Sequence, residues 1–124
     1  MTTNHPVVWF EVLGQDGDKL QKYYADLFGW NIAVSGPGKY GEVKPGAKGI
    51  GGGIAAQYPG TRPWVTVYVA ANDVSGTLEK AQRLGGKVVM PTRRIPDGPE
   101  VAAFEDPEGH VIGLVNDSPA ATPA

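Results

Sequence analysis

One pattern occurs twice in this chain, and that repetition restricts its fold more than any other feature. Val7-Val8-Trp9-Phe10-Glu11-Val12 is β-branched and aromatic, and Asp16 follows it where a helix can be capped. At an offset of 57 residues, Trp64-Val65-Thr66-Val67-Tyr68-Val69 is again a strand sequence, and Asp73 stands in the place of Asp16. The same offset lays Leu27-Phe28-Gly29 on Leu84-Gly85-Gly86. At a slightly larger offset GIGGGI (Gly49–Ile54) lies on GHVIGL (Gly109–Leu114). A unit of this size cannot bury its own sheet face, so two copies are expected to form one body.

Each copy reads β-α-β-β-β. After a strand at Val7–Leu13, with Asp16 or Asp18 as helix opener, Leu20, Tyr23, Tyr24, Leu27 and Phe28 recur at helical spacing, and Gly29 stops the helix. Short strands are predicted at Trp30–Val34, Lys39–Lys44 and Ile50–Ala56, and YPGTRP (Tyr58–Pro63) reads as a linker. The second copy predicts a strand at Trp64–Ala70 and a helix opened by Asp73 with the stripe Val74, Leu78, Ala81 and Gly85. Strands are then predicted at Lys87–Met90, Val101–Glu105 and Val111–Val115. Eighteen glycines and eleven prolines suit a chain with this many turns. The expected fold class is α+β. The expected organisation is one domain over residues 1–124, with a first module at 5–57, the linker at 58–63, a second module at 64–116 and a flexible tail at 117–124.

Charge and composition exclude several functions. The net charge is −2 with both signs interleaved, which favours neither nucleic acid nor an anionic membrane as partner. The absence of cysteine removes disulfides, thiolate metal sites and thiol nucleophiles. No apolar run has the length of a membrane span, and the N-terminus lacks a basic segment followed by an apolar one, so a cytoplasmic location is expected. GIGGGI is followed by neither Lys-Ser/Thr nor a helix, so it is not a phosphate loop. Ser75 and Ser118 have no partnered histidine for a nucleophilic triad.

YYADLFGW (Tyr23–Trp30), GGI (Gly52–Ile54), LEKAQRLGGKVV (Leu78–Val89) and DPEGHVIGL (Asp106–Leu114) together make residues 5–116 similar to the vicinal oxygen chelate superfamily, the glyoxalase, bleomycin-resistance and extradiol-dioxygenase group. The resemblance implies two βαβββ modules in pseudo-twofold arrangement. Their sheets would curl into an open barrel with the helices outside and a concave ligand cavity, and a homodimer is expected. In metal-using members the first and last strands of each module supply His, Gln or Glu ligands. Seven residues before each helix-opening aspartate stand Trp9 and Thr66; the last-strand positions are Gly53 and Gly113. An indole offers only an N–H donor, a glycine offers no side chain, and a lone threonine is a poor ligand. No metal and no other cofactor is therefore expected. His5 and His110 are expected at the surface.

If the ligand-equivalent positions face the concave side, strand alternation sends Val7, Trp9 and Glu11, and Trp64, Thr66 and Tyr68, the same way. Val8, Phe10 and Val12, and Val65, Val67 and Val69, then face the helices. Ile112 and Leu114 go to the core. Gly51, Gly53 and Gly113 leave bare backbone opposite the aromatic wall, which makes either a slot for a flat ligand or a place that Trp9 fills. Glu11 would anchor a cationic or hydroxylated ligand, act as a general base, or be a structural carboxylate bonded to Tyr68, Tyr40 or a backbone N–H. Glu42, and Arg93 and Arg94 in a loop, are expected in solvent. The function expected is that of a metal-independent small-molecule-binding protein whose ligand meets Trp9, Glu11, Gly53, Trp64, Thr66, Tyr68 and Gly113. The alternatives are a metal-independent lyase or isomerase with Glu11 as catalytic base, and an antibiotic-sequestering resistance protein.

Overall fold

The computed structural model describes residues 4–96 and 98–116; the tail expected at 117–124 lies outside the described residues. In chain order the elements are β1 (Val7–Gly14), α1 (Gly17–Phe28), β2 (Ile32–Ser35), β3 (Tyr40–Val43), β4 (Gly51–Ala56), β5 (Trp64–Ala71), α2 (Val74–Arg83), β6 (Lys87–Arg94), β7 (Glu100–Glu105) and β8 (Val111–Asn116). The class is α+β.

Both helices start where the aspartates put them. Asp16 accepts from Lys19 N–H at 3.0 Å, and Asp73 accepts from Gly76 N–H at 2.9 Å. Each carboxylate satisfies a donor that the first turn leaves unpaired. Gly29 ends α1 in the left-handed region (φ 69°) and donates to Ala25 C=O at 2.8 Å.

The chain divides into two units, Trp9–Thr66 and the remainder. In the first, the strand order is β2-β3-β4-β1, with β2, β3 and β4 antiparallel and β4 returning parallel to β1. In the second, β5 pairs parallel with β8, and β8, β7 and β6 follow antiparallel. Each repeat thus brings its last strand beside its first. The first unit also takes in Trp64–Thr66, the start of β5.

The second unit packs conventionally. Val74 and Leu78 of α2 are buried against Ala102 of β7 and Leu114 of β8, with Val69 and Phe104 at the margin. Val69 and Leu114 therefore lie on the helix side, as alternation predicts. Val65 does not: it is 77% exposed. Alternation fixes which face a side chain takes, but it does not place the helix over the first turn of the strand.

In the first unit Leu13, Val43, Ile54 and Ala55 are buried, yet the one buried residue of α1 is Gln21. Its amide donates to Ile54 C=O at 2.7 Å and to Lys39 C=O at 2.9 Å, so the helix is pinned to β4 by a polar contact. Tyr23, Leu27 and Phe28, expected in an apolar stripe on the sheet, are each more than half exposed.

β6 runs further than the predicted Lys87–Met90. Arg93 and Arg94 belong to the strand, opposite Val101 and Glu100, and not to a loop. Pro91, the residue after the predicted end, sits in a stretch where the register slips between Val88, Met90 and Arg93. A slip leaves room for a residue that cannot donate to the ladder. Among the described residues no helix is long and apolar enough to cross a membrane.

Candidate functional site

The first unit gathers its polar chemistry around Glu11. In register, Trp9 lies opposite Gly51, and Glu11 lies opposite Gly53 on β4, which in turn faces Glu42 on β3. Glycine at two successive positions on one face of β4 leaves room above the backbone. Tyr40, two residues before Glu42, reaches diagonally into it, and a Cβ on Gly53 would fall inside its phenol ring. The Trp9 indole edge covers Gly51 in the same way, 3.2 Å from where a Cβ would stand. On the other face, Phe10 covers Gly52.

Glu11 is 2% exposed. Its Oε2 accepts from the Tyr40 and Tyr58 hydroxyls, each at 2.9 Å, and its Oε1 accepts from the Trp64 indole N–H at 2.9 Å. Three donors, all aromatic, offset the cost of burying the carboxylate. Trp9 extends the network by donating its indole N–H to the Tyr40 hydroxyl at 3.0 Å. Tyr40 is thus both donor and acceptor. Burial, and then the negative charge of Glu11, push its phenol well above the ordinary tyrosine range.

Tyr58 comes from the stretch read as a linker. That stretch is an anchored loop: Thr61 bonds Tyr58 C=O through both its N–H (3.0 Å) and its hydroxyl (2.6 Å), and Gln57 donates to Thr61 C=O at 2.7 Å. The Tyr58 ring meets Trp64 edge-on at 6.0 Å. Nothing in a Pro-Gly loop sequence points to a partner 47 residues away. Tyr40, by contrast, is among the partners alternation allows for Glu11.

Of the expected ligand-contacting residues, Trp9, Glu11, Gly53 and Trp64 come together here, and Thr66 is buried in the same unit. Tyr68 and Gly113 form their own pair in the second unit, with the Tyr68 ring lying flat over the glycine, 2.5 Å from a would-be Cβ. Trp64, Thr66 and Tyr68 are each 5–6% exposed, whereas Trp9, Tyr40 and Tyr58 remain half-buried. Glu42 is exposed, as are both histidines: His5 contacts Ala70 C=O at 2.9 Å, and His110 pairs with Asp106 at 3.0 Å. A separate cleft of about 320 Å³ lies at the N-terminus of α1, between Asp16–Asp18 and Gly38–Lys39. It is open and mixed in charge, and it contains none of these residues.

The four positions from which relatives by resemblance would draw metal ligands do not fit a metal. Trp9 gives its N–H to Tyr40, Tyr40 fills the side-chain space of Gly53, Tyr68 fills that of Gly113, and Thr66 offers a buried hydroxyl. Among the described residues no three His, Cys, Asp or Glu side chains gather as a candidate metal site.

Comparison with known proteins gives the family from sequence and a likeness of fold from solved structures. Residues 6–114 match the Glyoxalase/Bleomycin resistance protein/Dioxygenase superfamily. The chain is 30% identical over 114 residues to proteins of Mycobacterium bovis and Mycobacterium tuberculosis that carry the provisional name glyoxylase CFP32. The match takes in 86% of this chain but 43% of theirs, so the chain spans less than half the length of these relatives. A glyoxalase/bleomycin resistance protein/dioxygenase superfamily member from Vibrio splendidus 12B01 superposes with a TM-score of 0.62 at 13% identity, over 90% of this chain and 98% of that one. Methylmalonyl-CoA epimerase from Mycobacterium tuberculosis superposes with a TM-score of 0.63 at 14% identity, over 97% and 95%. At such identities the structural likeness shows the fold alone. With the family match covering nearly the whole described chain, this protein belongs to the glyoxalase/bleomycin resistance protein/dioxygenase superfamily.

Proposed function

We propose that this protein binds a small organic molecule at the aromatic cluster around Glu11, and does so without the metal ion that serves metal-using relatives. The observation that carries this is the setting of Glu11: a carboxylate 2% exposed that accepts from Tyr40, Tyr58 and Trp64, beside the half-buried aromatic side chains of Trp9, Tyr40 and Tyr58. Aromatic walls with one placed charge are what a small-molecule site uses for affinity and orientation. The charge selects a ligand with an ammonium or hydroxyl group, and the rings favour a flat or amphipathic body. Tyr58 lies outside the strands, so a ligand donor can replace its hydroxyl on Oε2 at the cost of local loop bonds.

Catalysis by Glu11 is the alternative. It requires the carboxylate to exchange one of these donors for a substrate proton. Binding of a cationic antibiotic would be a special case of the ligand class above.

The test is a tryptophan fluorescence titration against a panel of aromatic amines and amino alcohols, with and without EDTA. Saturable binding that survives chelator, and is lost in Glu11→Gln and Trp9→Leu with native circular dichroism, is the expected result. Binding that needs a divalent metal, or that both variants retain, overturns the proposal.

A further inference from the structure

Glu11 is closed to a ligand until one of its donors moves. The carboxylate is 2% exposed, with Tyr40 and Tyr58 donating to Oε2 and Trp64 to Oε1, each at 2.9 Å. These three donors are not equally replaceable. Trp64 is buried in β5. Tyr40 belongs to β3; its ring occupies the side-chain space of Gly53, and its hydroxyl accepts from the Trp9 indole at 3.0 Å. Tyr58 stands in the loop between β4 and β5, next to the exposed Pro59 and Gly60. The bonds from Thr61 to Tyr58 C=O and from Gln57 to Thr61 C=O close that turn on itself, and Gln57 N–H ties its start to Gly14 C=O at 2.8 Å. Drawing the Tyr58 phenol off Glu11 breaks no strand pairing, and the freed hydroxyl can bond to water.

We infer that Tyr58 is a resident competitor on Glu11 Oε2: it holds the place of the ligand's donor, and it sets a threshold that ammonium ligands pass and hydroxyl ligands do not. This rests on the reading of the Glu11 cluster as a binding site. Binding is then an exchange of donors, and every ligand meets the same cost of displacing Tyr58. An aliphatic hydroxyl exchanges one neutral O–H for another, and the phenol is the stronger donor of the two, so nothing is gained at the carboxylate. An ammonium exchanges a neutral donor for a charged one. The bond is then ionised on both sides, and it pairs a carboxylate that burial has removed from water. The half-buried rings of Trp9 and Tyr40 attract a cation further. A competitor that occupies the site most of the time lowers the apparent affinity of every ligand by the same factor. Removing a competitor therefore tightens binding, whereas removing a ligand contact weakens it.

The experiment titrates the matched probes 2-phenylethylamine and 2-phenylethanol into the full chain at neutral pH, followed by tryptophan fluorescence. The proteins are the wild type, Tyr58→Phe and Glu11→Gln. The wild type is expected to favour the amine by about 10-fold or more. Tyr58→Phe, which keeps the ring and loses the hydroxyl, is expected to bind the amine about 10-fold more tightly, and the alcohol by the same factor. Glu11→Gln is expected to lose both. In parallel, the amine should quicken hydrogen exchange of residues 57–62 in the wild type, because the loop gives up its hold on Glu11; this readout needs no variant. Three results each overturn the inference and leave the Glu11 site standing: a Tyr58→Phe protein that binds the amine no more tightly, an alcohol that binds the wild type as well as the amine does, or loop exchange that does not quicken as the amine binds. Binding retained in Glu11→Gln, or saturation by neither probe in both the wild type and Tyr58→Phe, overturns the reading of the site itself and the inference with it.

Discussion

Tyr40 lays its ring in the space that a side chain on Gly53 would occupy and donates its hydroxyl to Glu11 Oε2 at 2.9 Å. The two facts are linked. Only a glycine at 53 lets the phenol lie flat across β4, and only a phenol lying flat there reaches both the carboxylate and the Trp9 indole. The aromatic network and the bare strand are one arrangement.

Gly53→Ala is therefore expected to destabilise the protein by about 2 kcal/mol, the range for overpacking a site that must move a ring. In Tyr40→Phe, which keeps the ring but lacks the bonds, the same substitution costs less, because the bonds it would break are already gone. A double-mutant cycle from urea unfolding measures this; strictly additive effects would show that Gly53 and Tyr40 act separately.

Glu11→Ala removes the shared acceptor of Tyr40, Tyr58 and Trp64. Taking the acceptor away from the buried Trp64 indole and two half-buried phenols costs on the order of 3 kcal/mol, well above a typical surface substitution. Equilibrium unfolding with near-ultraviolet circular dichroism as the probe would register both the loss and the loosening of the tyrosine and tryptophan environments. Glu11→Gln, which retains one acceptor oxygen, is expected to fall between wild type and Glu11→Ala.

Much of this arrangement is legible from sequence because its signals are local. Asp16 and Asp73 cap their helices through bonds three residues long, and alternation places Glu11 inside and Leu114 in the core. What escapes is set by contacts distant in sequence. Tyr58 sits in a stretch whose composition says only that it turns, and its bond to Glu11 spans the whole first repeat. The apolar period of α1 says that Tyr23, Leu27 and Phe28 share a flank, not that the sheet leaves it uncovered. Pro91 marks an interruption of pairing, but whether a strand ends or slips there depends on β7.

Tyr40 also sets an alkaline limit on stability. Its folded phenol is raised above the ordinary value of 10.0 by burial and by the Glu11 charge. A group raised in this way contributes stability that is fully present below the unfolded value and is lost as pH climbs toward the folded one. Stability should thus fall above about pH 10, and the fall should be shallower in Tyr40→Phe. In spectrophotometric titration the Tyr40 phenolate should appear together with unfolding.

Asp106 sets a corresponding limit in acid. Its carboxylate accepts the backbone N–H groups of His110 and Glu108, each at 2.9 Å, and meets the His110 ring at 3.0 Å; the His110 backbone bond is the largest cause of a carboxyl held below its ordinary value. Here the sign reverses. The contribution is present above the unfolded value near 3.8 and fades as pH falls through the lower folded one. In Asp106→Ala the turn before β8 loses these bonds at neutral pH. The variant and the wild type should then converge in stability as pH falls through the lowered folded value; a gap that stays constant with pH would mean that the side chain acts by packing alone.

Gly113→Glu tests whether a single added carboxylate is enough to bind a metal. Its Cβ would stand 2.5 Å from the Tyr68 ring, which is 5% exposed and has nowhere to go without opening the strand pair. The expected outcome is a loss of about 2–3 kcal/mol from overpacking and a buried charge. No stabilisation by millimolar Zn²⁺, Mn²⁺ or Ni²⁺ should appear in thermal melts, because a ligand that binds only the folded state would raise the melting temperature. The partners a metal would need at 9, 53 and 66 are an indole, a glycine and a threonine. A metal-dependent rise in the variant but not in the wild type would show that one added carboxylate suffices to bind a metal.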